Sequence, residues 1–109
     1  EDGRVASFSN ATTERGAPRY FVGCGVGVVS ADHAGDGLVV DNGTSMACPH
    51  VAGVAALHFE TLRLAGSTSP VLRQDVMTDL RRSARDWRNA AAGIDDPLDV
   101  GLGSPTAPA

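Results

Sequence analysis

The feature that most constrains this chain is the stretch 45–65, which is apolar around most of a helix's circumference. Val51, Ala52, Val54, Ala55, Ala56, Leu57, Phe59, Leu62 and Leu64 fall on too many sides of a helical wheel to share one face. A helix of this kind needs cover on both sides, so it belongs in the middle of a layered protein. Gly66 supplies its C-terminal stop. Ser69 and Pro70 then offer an N-cap and a first-turn proline for a second helix, 70–84. That helix is amphipathic, with Val71, Leu72, Val76 and Leu80 facing inward. Arg73, Asp75, Asp79, Arg81 and Arg82 form a solvated face rather than a binding patch.

Ahead of the long helix the pattern is of short extended segments. Residues 5–9 and 19–22 suit strands, and turn formers fill 10–18. Residues 24–29 mix β-branched side chains with glycines, which suggests a short strand approached closely by other backbone. A loop over 30–37 and a third extended segment at 38–40 follow. Beyond Trp87 the chain is rich in Ala, Gly, Asp and Pro, and 104–109 is expected to be a loose tail. Strands followed by helices predict an α/β fold. The chain offers few partners for its central helix, so residues 1–109 are expected to be one portion of a larger layered domain.

Bulk properties exclude some functions. The formal net charge is -4 and the sequence pI about 5.1, which does not suggest a nucleic-acid surface. No apolar run approaches the roughly 20 residues of a membrane span. The first residues, Glu1-Asp2-Gly3-Arg4, have no signal-peptide pattern. Cys24 and Cys48 do not make a zinc signature. They read as two small buried thiols, with a disulfide as the alternative.

The chemistry points to Ser45. It stands where a glycine turn, Asn42-Gly43-Thr44, meets the long helix. A serine hydroxyl is a poor nucleophile until a base takes its proton. At a helix N-terminus it gains free backbone N–H groups that can hold a developing oxyanion. Gly43 allows a sharp turn, and Pro49 is expected in the first turn, where its missing N–H matters least. A bare Gly-x-Ser before a helix is more often a turn and a cap. That leaves a non-catalytic structural or interaction module as the alternative reading.

No histidine in the chain is a convincing base. His50 lies five positions after Ser45, rotated by roughly 140°, and is expected to point elsewhere, buried between helix and sheet. His58 lies thirteen positions on, about 20 Å along the axis. His33 follows Asp32 in the loop, where neighbouring side chains point apart, and reads as a surface residue.

The twelve residues Asn42-Gly43-Thr44-Ser45-Met46-Ala47-Cys48-Pro49-His50-Val51-Ala52-Gly53 closely resemble the nucleophile motif of the subtilisin-like serine peptidases. Val5-Ala6-Ser7-Phe8-Ser9-Asn10 looks like that family's "ASFSN" strand. Residues 23–31 are similar to its "APGV-x-I-x-SA" segment, with Cys24 where proline is usual. Residues 80–84 and Gly101-Leu102-Gly103 resemble its closing helix and Gly-x-Gly finish.

The resemblance implies the C-terminal portion of a three-layer αβα fold, with a mostly parallel sheet and a long buried helix after the nucleophile. It implies a serine endopeptidase acting through an acyl-enzyme on Ser45. The Ser45 N–H would be an oxyanion donor and the Thr44 hydroxyl a secondary one. Asn42 and Gly43 would shape the loop beside the bound peptide, and Met46 would pack behind the nucleophile. The family's Asp and His motifs, Asp-[Ser/Thr]-Gly and His-Gly-Thr-His, precede the serine, as does its oxyanion asparagine. None is present here, so they are expected in an upstream part of the catalytic domain, without which this chain is expected to be inactive. The substrate implied is an extended peptide or protein. No cofactor is implied in the chemistry; structural calcium occurs in the family, but no site is readable here. The resemblance implies a secreted or extracytoplasmic location.

Overall fold

A computed structural model describes residues 5–9, 20–67, 72–84 and 101–109. Its elements run β1 (Val28–Ala31), β2 (Leu38–Asp41), α1 (Thr44–Leu64) and α2 (Leu72–Ser83). The chain is therefore mixed α/β. The expected mostly parallel sheet and third layer are not among the described residues, where the sheet is one antiparallel pair. The six-residue connection 32–37 explains this, because so short a link can join antiparallel strands but cannot cross over to a parallel neighbour.

The register pairs Val28 with Asp41, Val29 with Val40, Ser30 with Val39 and Ala31 with Leu38. Side chains alternate along a strand, and directly paired residues share a face. One face of the hairpin therefore carries Val28, Ser30, Val39 and Asp41. The other carries Val29, Ala31, Leu38 and Val40, all of them exposed, with Leu38 at 75%. The strand expected at 24–29 begins only at Val28, and the loop expected at 30–37 gives up Ser30 and Ala31 to β1. Residues 5–9 hold a turn instead of a strand, closed by the Ser9 N–H on the Ala6 carbonyl at 2.9 Å.

α1 follows the predicted limits closely. Gly66 adopts φ 87°, its N–H bonds to the Arg63 carbonyl, and the Ser67 N–H bonds to the Leu62 carbonyl. This is the Schellman closure that a glycine in this position favours. Pro49 is not in the first turn as expected. Gly43 is the N-cap, so Pro49 is the sixth helical residue, and its missing N–H removes the usual donor to the Ser45 carbonyl. The expected cap at Ser69 and Pro70 lies outside the described residues.

The two helices pack together. Val76 and Leu80 of α2 are buried, Leu80 at 3% exposure, in keeping with its amphipathic pattern. α1 is different. Its buried residue is His58, while Leu57, Phe59 and Leu64 are exposed. The apolar residues that demand cover on all sides do not find it within the described part of the chain.

Thr106 of the expected loose tail is hydrogen-bonded to both helices, through His58 and Ser83. Gly103 and Pro105 are buried. Composition could not show this, since it rests on contacts between residues far apart in sequence.

Candidate functional site

The turn before α1 is fastened on both sides. The Gly43 N–H donates to the Gly25 carbonyl at 2.7 Å. The Gly27 N–H donates to Asn42 Oδ1 at 2.7 Å, and the Asn42 N–H to Asp41 Oδ1 at 2.7 Å. Asn42 thus ties the turn to the start of β1. Gly43 itself sits at φ 153°, a conformation that favours glycine, and caps the helix with no side-chain bond.

The segment 23–25 lies hard against α1. A Cβ at Gly23 would stand 2.8 Å from the Ala47 carbonyl oxygen, and one at Gly25 would stand 2.7 Å from the Gly43 carbonyl oxygen. The close backbone approach expected of this glycine-rich segment is what holds the turn in place. With both glycines facing the helix, alternation along the extended chain sends Cys24 to the other side. Cys24 and Cys48 are both exposed, which corrects the expectation that they are buried.

The first helical N–H groups divide in two. Those of Met46 and Ala47 both bond to the Gly43 carbonyl, at 3.1 and 3.2 Å. Those of Thr44 and Ser45 have no acceptor among the described residues. Two adjacent N–H donors at the positive end of a helix dipole, beside an exposed hydroxyl, can stabilise negative charge on a bound oxygen.

Ser45 opens onto a cleft of about 420 Å³ lined by Val28, Ser30, Ser45, Met46, Pro49 and His50. Val28 and Ser30 come from one face of the hairpin, and the rest from the first two turns of α1. Of the residues singled out in the sequence, the structure brings Ser45, Met46, Pro49 and His50 to the cleft. Asn42, Gly43 and Thr44 lead into α1 just ahead of Ser45 and are not among the residues that line the cleft. Sequence reasoning missed Val28 and Ser30, because their shared face follows from the strand register. An alternating pair ahead of an extended segment was the available signal.

His50 is also corrected. It is exposed rather than buried, and it lines the same cleft as Ser45. Its Nδ1–H donates to the Met46 carbonyl at 2.8 Å, which leaves Nε2 as the acceptor nitrogen of the neutral ring. The 140° rotation describes the backbone. A helical side chain leans back over the preceding turn, and that lean brings the imidazole round to the Ser45 side. Among the described residues no hydrogen bond joins a histidine to the Ser45 hydroxyl.

His33 stands at the far end of the hairpin, 98% exposed, with Nδ1 3.5 Å from Asp32 Oδ1. The two side chains do meet, although adjacent residues were expected to diverge. Asp32 Oδ1 also accepts the Ala34 N–H at 2.9 Å, so the carboxylate is turned into its own loop. The length of β2, about 13 Å, separates this pair from the Ser45 turn.

Residues 3–93 match the family model described as the subtilase family. The chain belongs to the subtilase family. Membership places it among serine peptidases, and the match spans the glycine segment, the hairpin, the Ser45 turn and both helices. Comparisons with curated proteins and with solved structures gave no match. Among this subtilase's described residues, no three His, Cys, Asp or Glu side chains come together as a metal site. No described helix is long and apolar enough to cross a membrane.

Proposed function

We infer that this subtilase chain is the serine-bearing part of a subtilisin-like endopeptidase, with Ser45 as its nucleophile. The observation that carries this is the Ser45 turn itself. An exposed serine opens on a cleft at the N-terminus of α1, beside two backbone N–H groups without acceptors among the described residues. The substrate is an extended peptide or protein.

In the complete enzyme Ser45 Oγ attacks the scissile carbonyl carbon while a histidine base from the upstream part takes the hydroxyl proton. The carbonyl oxygen gains negative charge and meets the Ser45 N–H, with the Thr44 hydroxyl as a secondary donor and an upstream asparagine completing the set. The C–N bond breaks, the histidine returns its proton to the leaving amine, and an ester on Ser45 remains. Water then hydrolyses that ester by the same proton path. Asn42 and Gly43 border the bound peptide, and Met46 supports the nucleophile from the cleft wall. These steps call for no cofactor. The catalytic Asp and His are supplied from upstream in a three-layer domain with a mostly parallel sheet, and the enzyme works outside the cytoplasm.

A fluorophosphonate probe tests the reading. The purified chain is expected to label weakly or not at all. The longer protein that includes the upstream Asp and His motifs is expected to label at Ser45 and to lose the label in Ser45→Ala. Robust labelling at another residue of the longer protein would remove Ser45 from its role.

A further inference from the structure

The C-terminal described segment touches three separated parts of the chain. The Leu102 N–H donates to the Tyr20 carbonyl at 3.0 Å, and the Gly103 carbonyl accepts the Val22 N–H at 3.1 Å. The Thr106 carbonyl accepts His58 Nε2–H at 2.9 Å. The Thr106 N–H donates to Ser83 Oγ, and its hydroxyl donates to the Ser83 carbonyl, both at 3.2 Å. His58 is only 6% exposed, and a buried imidazole N–H needs an acceptor. The segment provides it.

From Val22 the same seam runs on toward the nucleophile turn. Gly25 is three residues away, within roughly 10 Å of chain. Gly23 and Gly25 abut the first turns of α1 with no room for a Cβ, and the Gly25 carbonyl holds the Gly43 N–H. The hydrogen bonds of Leu102 to Tyr20, Val22 to Gly103 and Gly43 to Gly25 run backbone to backbone, which gives less than a contact between long side chains. His58 lies about 20 Å along α1 from Ser45, whereas Gly25 in the seam is bonded to the helix N-cap itself.

We propose that residues 101–109 are a strap that positions the Ser45 turn, with Thr106 as its anchor. Without the strap, 20–22 loses its cross-chain bonds, 23–25 lifts from α1, and Gly43 loses its acceptor. The Thr44 and Ser45 N–H groups then lose their fixed direction. Thr106 and Gly103 are positioning residues, acting through other groups and touching no substrate. Only the catalytic consequence rests on Ser45 being the nucleophile.

Amide hydrogen exchange in the full chain, read by NMR at Gly43, tests the strap without reference to catalysis. Deleting 101–109 is expected to speed Gly43 exchange by about tenfold or more, and adding the 101–109 peptide is expected to slow it again. Thr106→Val, which removes the hydroxyl donor, is expected to speed it by a smaller factor, and Thr106→Ser to leave it as in the parent chain. Should the deletion melt α1, the two point variants decide the matter at unchanged α1 protection. Gly43 exchange that stays at the parent rate in Thr106→Val, or that rises equally in Thr106→Ser, overturns the strap. Loss of α1 protection in both point variants also overturns it, because the effect would then be general unfolding. Failure of probe labelling at Ser45 would sink the nucleophile assignment and leave the exchange result standing.

Discussion

Gly25→Ala isolates the contact that holds the nucleophile turn. Gly25 does not have a positive φ, so alanine can adopt its backbone conformation. The obstacle is space. The new Cβ would stand 2.7 Å from the Gly43 carbonyl oxygen and 3.1 Å from Ala47 Cβ. The first neighbour is backbone and cannot swing aside, so 23–25 must lift from α1. Overpacking of this kind costs about 1–3 kcal/mol. The lift also stretches the Gly25–Gly43 hydrogen bond, which contributes roughly 0.5–1.5 kcal/mol. Together the expected destabilisation is about 2–4 kcal/mol. With a urea slope of about 1–3 kcal/mol per molar, the unfolding midpoint should fall by roughly 1 M or more. Two controls separate the causes. A Cβ at Gly35 meets nothing within 4 Å, so Gly35→Ala should stay within about 0.5 kcal/mol. Gly27 has equal room but φ 65°, so Gly27→Ala should cost about 1 kcal/mol from backbone conformation alone. A Gly25→Ala midpoint no lower than that of Gly35→Ala would refute the tight seam.

Other outcomes follow from the same geometry. His58→Ala leaves the Thr106 carbonyl without its donor and should lower stability by about 1–3 kcal/mol in urea melts. Peroxide oxidation of Met46 puts a polar oxygen into the cleft wall and should slow acylation of the complete enzyme; unchanged activity in a fully oxidised sample rules this out. Arg63 donates two hydrogen bonds to Glu60 at 3.0 and 3.1 Å, and these, with its charge, hold the Glu60 carboxyl below its ordinary value. A carboxyl lowered in the folded state adds stability above its unfolded pKa and loses it as pH falls through the lowered value. Both groups are fully exposed, so the gain is small, and thermal melts of Glu60→Gln against the parent chain should converge in acid.

Much of the local structure was legible. The extent of α1, its stop at Gly66 and the strand at 38–40 follow from apolar content and glycine position alone. The hairpin's partner strand was harder, because Ser30 and Ala31 carry no strong strand preference and are recruited by pairing with Val39 and Leu38. His50 was misread because rotation about the helix axis says nothing of how a side chain leans. Pro49 was misplaced because the helix starts at Thr44, which puts the proline sixth and past the first turn. The anchoring of Thr106 lay beyond sequence reasoning, since Ser83 and His58 are ordinary residues until the fold brings them to the tail. At the site, Ser45 and its turn were readable from spelling. The cleft wall that faces them was not, because Val28 and Ser30 belong to it only through the register.

The outer face of the hairpin bears on how this chain behaves at the bench. Val29, Ala31, Leu38 and Val40 form an exposed greasy panel, and among the described residues each strand of the pair has an open edge. Such a surface recruits other strands and other copies. Concentration therefore becomes an experimental variable: light scattering should climb as the isolated chain is concentrated, and Val40→Lys should hold it down.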